Sequence, residues 1–416
     1  MAIVNSKTGQ TVKQYSVEEL QEAANLMRGY SLVALGAAGS GHSGGTMSIM
    51  DITAALYLHE AAVDPNDAFW ADRDRIFWSA GHKAPALYVG LGMAGFFNVE
   101  EMVTLRKLHS PFQGHPHWLK LDGIEASSGS LGQGLSVSIG SALAARLDKK
   151  AYRVYCIMGD GEQQEGQVWE AAMEACHYGL DNLCAIIDKN RLQIDGCVDD
   201  VMCVEPLKEK YQSFGWHTIE IDGHDMKQIL GAFQEARNTK GKPSLIIADT
   251  IKGKGIDFME DVCGWHGKAP SLEETQRAIK QLGLDDKISV TGLMKKADDF
   301  QAEAMKELAA KQPALSRDYF WNSSGDMKAE MVPTRMGFGQ ALGEHGDDPR
   351  IVGRFFHQIG YRKLSLETKL FYGLMRLLKA RRLTVPAADV FHEINPFTLD
   401  GVGDNQRRLA SGIPRL

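Results

Sequence analysis

Two short apolar runs in this chain end in motifs that are not apolar. Residues 154–158 run into Gly159-Asp160-Gly161, and residues 183–188 run into Asp188-Lys189-Asn190. Residues 167–178, between them, have helical spacing. A buried strand, a helix and a second buried strand imply parallel neighbours joined by a right-handed crossover. Asp160 and Asn190 then fall at the carboxyl edge of one sheet, where open α/β sheets bind ligands. The glycines beside Asp160 let the backbone turn sharply and approach a ligand closely.

The same alternation covers the chain to near residue 280. Ser16 and Glu19 form a capping-box pattern, followed by Leu20, Ala23, Ala24 and Met27 at helical spacing. Further helices are expected over 49–60 and 135–146, and strands over 216–221 and 244–249. Ser271 and Glu274 cap the last helix of this unit. Residues 284–330 read as a polar, helical linker. Residues 331–353 read as the start of another domain, and 354–416 as a divergent tail. Basic residues outnumber acidic ones in that tail, although the chain as a whole carries −7. Such a sign change marks a compositional boundary.

Composition narrows the functional classes. With 44% hydrophobic and 24% charged residues, wholesale disorder is excluded. The net negative charge argues against a nucleic-acid partner. Cys156, Cys176, Cys184, Cys197, Cys203 and Cys263 form no C-x-x-C pair, which fits reduced thiols in the cytoplasm. No apolar run is long enough to span a membrane.

An Asp carboxylate and an Asn carbonyl are hard oxygen donors. With a backbone carbonyl they leave octahedral positions for diphosphate oxygens and a water around Mg²⁺. His42, His82, His115 and His266 each follow or precede a glycine in one of the short motifs quoted below, so they are candidate site residues. His59, His109, His117, His177, His217 and His224 stand outside those motifs and read as structural, since a lone histidine is more often a satisfied structural group.

G-D-G followed by Asn at this spacing resembles the thiamine-diphosphate enzymes, and within them the transketolase family. Five further stretches carry the resemblance, in the family's order: Ser40-Gly41-His42-Ser43-Gly44, Gly81-His82, Gly114-His115-Pro116, Gly129-Ser130-Leu131-Gly132-Gln133-Gly134 and Trp265-His266-Gly267. The resemblance implies an α/β thiamine-diphosphate-binding fold, a mostly parallel sheet with helices on both faces. On it, 1–283 is the diphosphate-binding domain, and 331–353 begins a pyrimidine-binding domain.

The resemblance also implies roles. Asp160, Asn190 and the Leu192 carbonyl correspond to metal ligands for Mg²⁺, with Ca²⁺ or Mn²⁺ as substitutes. Gly129, Ser130, Leu131, Gly161, Glu162 and Gln193 correspond to cofactor contacts, as does Lys252 in one branch of the family. His82 and His266 are similar to diphosphate and active-centre histidines. His42 and His115 resemble histidines that contact the sugar's hydroxyls and oxyanion. Glu165 stands where the family has a carboxylate at a subunit interface. The implied activity is transfer of a two-carbon ketol unit from a ketose phosphate to an aldose phosphate in the pentose phosphate pathway. The implied partners are sugar phosphates and either a second copy or a separate chain with a pyrimidine-binding domain. The family's activating glutamate belongs to its middle domain, and 354–416 lacks that motif. Two alternatives stay open: a non-catalytic or partner-dependent cofactor-binding remnant, and a related enzyme such as deoxyxylulose-phosphate synthase.

Overall fold

The computed structural model describes residues 3–194 and 196–311. The expected segments 331–353 and 354–416 lie outside the described residues, as does 312–330.

Five strands form one parallel sheet: β1 (Arg75–Trp78), β2 (Val154–Gly159), β3 (Leu183–Lys189), β6 (His217–Asp222) and β7 (Ser244–Asp249). Their spatial order is β1-β2-β3-β7-β6. A small antiparallel hairpin, β4 (Leu192–Gln193) with β5 (Gly196–Cys197), follows β3.

Successive side chains of each strand go to opposite faces. Tyr155, Ile157, Cys184, Ile186, Ile246 and Ala248 join one core, with the helices Val17–Ala38, Met50–Ala55, Ala84–Ala94 and Met226–Asn238. Val154, Cys156, Met158, Leu183, Ala185, Ile187, Leu245 and Ile247 join the other, with Gly134–Leu147, Gly166–His177 and Leu207–Phe214. Both faces are therefore covered, which is why these strands read as continuous apolar runs. The molecule has the α/β architecture expected from the sequence.

Local details follow from particular residues. Both capping boxes form: Glu19 N–H donates to Ser16 Oγ at 3.2 Å, and Glu274 N–H to Ser271 Oγ at 3.1 Å. The helix expected over 49–60 is α-helical only over Met50–Ala55 and widens into a π turn over Leu56–Glu60. That turn carries the Glu60 carboxylate to the Tyr155 hydroxyl at 2.6 Å. The strand expected from 216 starts at His217, because Trp216 is buried and donates its Nε1–H to the Ala172 carbonyl. The sequence reading omitted β1 and the helix Ala84–Ala94.

The expected linker begins differently. Helix Val290–Lys311 packs Val290, Leu293 and Ala297 against Val33, Val103 and Ile279. Lys295 and Lys296 before Ala297, and Asp298 and Asp299 after it, dilute the apolar stripe, so the segment's composition looks like that of a solvated connector. Among the described residues, no helix is long and apolar enough to cross a membrane. All six cysteines are free.

Candidate active site

Asp160 follows β2 and Asn190 follows β3, side by side at the carboxyl edge of the sheet, and both are buried. Asp160 accepts hydrogen bonds from the backbone N–H of Gly161 at 2.8 Å and of Arg191 at 2.5 Å. Arg191 has φ 61°, a left-handed backbone that turns its N–H back onto this carboxylate. Burial and the neighbouring Asp188 push the Asp160 carboxyl up to about 6. The Asn190 amide donates to Asp188 at 3.1 Å and to Ser48 Oγ at 3.3 Å. The Leu192 carbonyl accepts from Lys252 Nζ at 2.8 Å.

These residues fit a divalent cation chelated with a diphosphate. The donors are an anionic carboxylate, an amide carbonyl and a peptide carbonyl, all hard oxygens. A buried carboxylate is costly without a cation beside it. Among the described residues no cluster of three or more His, Cys, Asp and Glu could hold a metal. A metal here would therefore take its remaining oxygens from the ligand and water. A Cβ on Gly81 would lie 2.6 Å from Ser128 Oγ and 2.7 Å from Gly129 N, so glycine at 81 lets the turn before His82 pack directly on the 128–129 segment.

The structure brings four of the candidate histidines into one cluster. Ring centroids of His42 lie 5.4 Å from His82, 6.0 Å from His115 and 5.7 Å from His266, and His82 stacks on His266 at 5.4 Å. His42 Nδ1 is buried with no hydrogen-bond partner, an orphan that a bound polar group would satisfy. Burial lowers every one of these imidazoles: His42 to about 4, His266 to about 3 and His82 well below its usual value. His115, the most exposed, is lowered by burial and then by Arg106. At neutral pH the cluster is uncharged, so each ring offers one donor and one acceptor. Lys252 Nζ lies 2.9 Å from His266 Nδ1, and burial lowers this ammonium to about 8.

The remaining candidates divide by burial. Glu162 is buried, and burial raises its carboxyl. It accepts from Gly132 N at 2.8 Å, from Gly159 N at 3.0 Å and from the Ser79 hydroxyl, tying the Gly129–Gly134 stretch to the end of β2. Gly129 and Ser130 are exposed and Leu131 is half-buried. Gln193, beside Gly161, accepts from Gln164 Nε2 at 2.9 Å. Glu165 is exposed, with its Cβ packed over Gly132.

The sequence reading missed three features. Lys83, next to His82, is buried and forms an ion pair with Asp188. Asp188 also accepts from the Ser48 and Thr250 hydroxyls. Burial opposes its charge, but the Lys83 ammonium and these hydroxyls outweigh that and hold its carboxyl below the usual range. His224 accepts from Ile251 N–H at 2.9 Å and contacts Asp51 at 2.8 Å, and Asp51 pairs with Arg28. This chain of contacts fixes the loop that presents Lys252. A lysine just ahead of the apolar run 84–94 was the one visible signal for Lys83.

Comparison with known proteins supplies independent findings. Residues 19–330 match the family model described as transketolase, thiamine diphosphate binding domain. The chain is 41% identical over 264 residues to the 6-deoxy-6-sulfo-D-fructose transketolase subunit SqwG of Clostridium sp. (strain MSTE9), covering 64% of this chain and 96% of the relative. It is 41% identical over 269 residues to an apulose-4-phosphate transketolase subunit of Phocaeicola vulgatus, covering 65% and 95%. A crystal structure of transketolase from Campylobacter jejuni matches with a TM-score of 0.62 at 32% identity, over 71% of this chain and 49% of that one. The chain thus spans about half of that solved transketolase but nearly all of the two subunits.

Proposed function

Because the chain belongs to the transketolase family, through its thiamine diphosphate binding domain, we propose that it is the diphosphate-and-metal half of a two-part ketol transferase. The observation that carries this reading is the histidine cluster, uncharged and partly unpartnered. It is built on the same polypeptide as the Asp160 and Asn190 edge.

Asp160, Asn190 and the Leu192 carbonyl would hold Mg²⁺, and the exposed Gly129 backbone would let the diphosphate come close. Thiamine diphosphate, when bound, supplies the carbanion and the electron sink for breaking a carbon–carbon bond next to a carbonyl. The protein's part is orientation and proton handling. A neutral imidazole can accept a proton from a sugar hydroxyl or donate one to a developing alkoxide. His42, with its free Nδ1, is the residue assigned to that exchange. His115, at the exposed rim, would orient the sugar. His82 and His266, with Lys252, would line the cofactor side.

The partner is proposed from the relatives. Both subunit proteins are matched almost end to end, which supports a second subunit carrying the pyrimidine-binding part. The exposed Glu165 and the exposed 129–130 segment are available to such a partner. The relatives' names point to ketoses with an anionic far end, so sugar phosphates or their sulfonate counterparts are the proposed substrate class.

The test is to mix the full chain with a pyrimidine-binding subunit, thiamine diphosphate and Mg²⁺. Ketol transfer from xylulose 5-phosphate to ribose 5-phosphate, or from the relatives' ketoses to the same acceptor, is expected only in the mixture. Metal-dependent cofactor binding with no transfer from any of these donors would leave a cofactor-binding protein and contradict the transferase reading. No cofactor binding would contradict both.

A further inference from the structure

Asp188 is the second-last residue of β3, beside the candidate metal residues but saturated from within. Its Oδ2 accepts from Ser48 Oγ at 2.6 Å, from Asn190 Nδ2 at 3.1 Å and from Lys83. Its Oδ1 accepts from Thr250. These donors come from the helix Ser43–Ser48, the loop after β3, the turn after β1 and the end of β7. Asp188 itself is fully buried.

An ionised carboxylate can only accept hydrogen bonds. The Asn190 amide beside it must therefore turn its NH₂ inward. Ser48 reinforces that choice: its hydroxyl donates to Asp188 and accepts from Asn190 Nδ2 at 3.3 Å. The amide oxygen is left on the opposite side, where the Leu192 N–H donates to it at 3.3 Å. A carboxamide has nearly the same shape in either orientation, so packing alone would not decide which atom faces out. We infer that Asp188, paired with Lys83, is the positioning residue that turns the Asn190 oxygen, rather than its NH₂, toward the metal. The inference rests on the metal reading of Asp160 and Asn190 given above.

The test is a double-mutant cycle on the full chain. Mg²⁺ is titrated at fixed thiamine diphosphate and binding is read by calorimetry. The first arm replaces the whole ion pair, Lys83→Met with Asp188→Asn, so that net charge is conserved. An amide at 188 both donates and accepts, so residue 188 no longer selects one orientation of Asn190, and the Leu192 N–H, 3.3 Å from Asn190 Oδ1, is the remaining contact that favours it. Mg²⁺ affinity should fall about 10- to 100-fold, as for other residues that orient metal ligands. The second arm is Asn190→Ala, which should also weaken Mg²⁺. With both arms combined, the loss should match Asn190→Ala alone to within about twofold, because no amide oxygen remains to be turned.

Losses that multiply instead overturn the inference, since Asp188 then acts without Asn190. Parental Mg²⁺ affinity in Asn190→Ala overturns the metal reading, and the inference falls with it. If the pair replacement does not fold, Ser48→Ala enters the same cycle, leaving the ion pair untouched. It should give a smaller loss that again disappears without Asn190, and a loss that persists is contrary to the inference.

Discussion

Asp160 and Asp188 end adjacent strands of one sheet, yet their surroundings are opposite. Asp188 has an ammonium, two hydroxyls and an amide, and is held below the usual carboxylate range. Asp160 has two backbone N–H donors and, among the described residues, no ion pair, and is pushed up to about 6. The difference separates scaffold from site. A carboxylate completed by its own chain braces the fold, whereas one left short of positive charge fits the cation site proposed above.

Removing each carboxylate should therefore change stability in opposite directions. Asp188→Asn leaves the buried Lys83 without a counter-ion, and breaking one side of such a pair costs about 3–5 kcal/mol. Adding Lys83→Met should recover most of that loss. Urea unfolding of the single and paired variants checks this, and an unaffected single variant would remove the contrast.

Asp160→Asn should instead stabilise the ligand-free chain. Its folded value near 6 lies above the ordinary 3.8, so the folded state holds the proton more tightly. Stability from this group is present at low pH and is lost as pH rises from about 4 to 6. The amide removes that loss. Allowing for one weakened hydrogen bond, the gain should be about 1–2 kcal/mol above pH 6 and should vanish near pH 4. Unfolding midpoints of parent and variant across that range supply the measurement. A constant difference would mean that Asp160 is not strained by its burial.

The histidine cluster should give the smallest effect, with the opposite pH sign. His42 and His266 have folded values near 4 and 3, below the ordinary 6.5, so stability is lost as pH falls through this range. His42→Gln should remove about 1 kcal/mol of that acid loss between pH 6.5 and 4.5, after discounting for partial exposure. An unchanged acid limb in thermal scans would show that His42 does not resist protonation.

How much of this was legible from sequence depends on where the physical signal sits. Asp160, Asn190 and the four glycine-flanked histidines were visible because turns at a ligand edge need glycine, and glycine marks the sequence locally. β2, β3 and β7 were visible because burial on both faces demands unbroken apolar runs. β1 has only four residues, Arg75–Trp78, too few to establish a period. The contrast between Asp160 and Asp188 was not legible, since it depends on Lys83, Ser48 and Thr250 arriving from distant parts of the chain. The packed face of Val290–Lys311 was hidden in the same way, because its partners Val33 and Val103 lie far away in sequence. His224 was read as structural, and its two ring contacts, to Asp51 and Ile251, lie within the chain.

The central claim is that Asp160 awaits a cation. It is tested most directly by thermal scans of the parent and Asp160→Asn, with and without thiamine diphosphate plus Mg²⁺. At ligand one hundred times its dissociation constant, the parent should gain about 2.7 kcal/mol. Asp160→Asn should gain almost nothing, although it starts from a more stable ligand-free state. An equal cofactor-induced shift in both proteins would contradict the account, because the metal would then be anchored elsewhere.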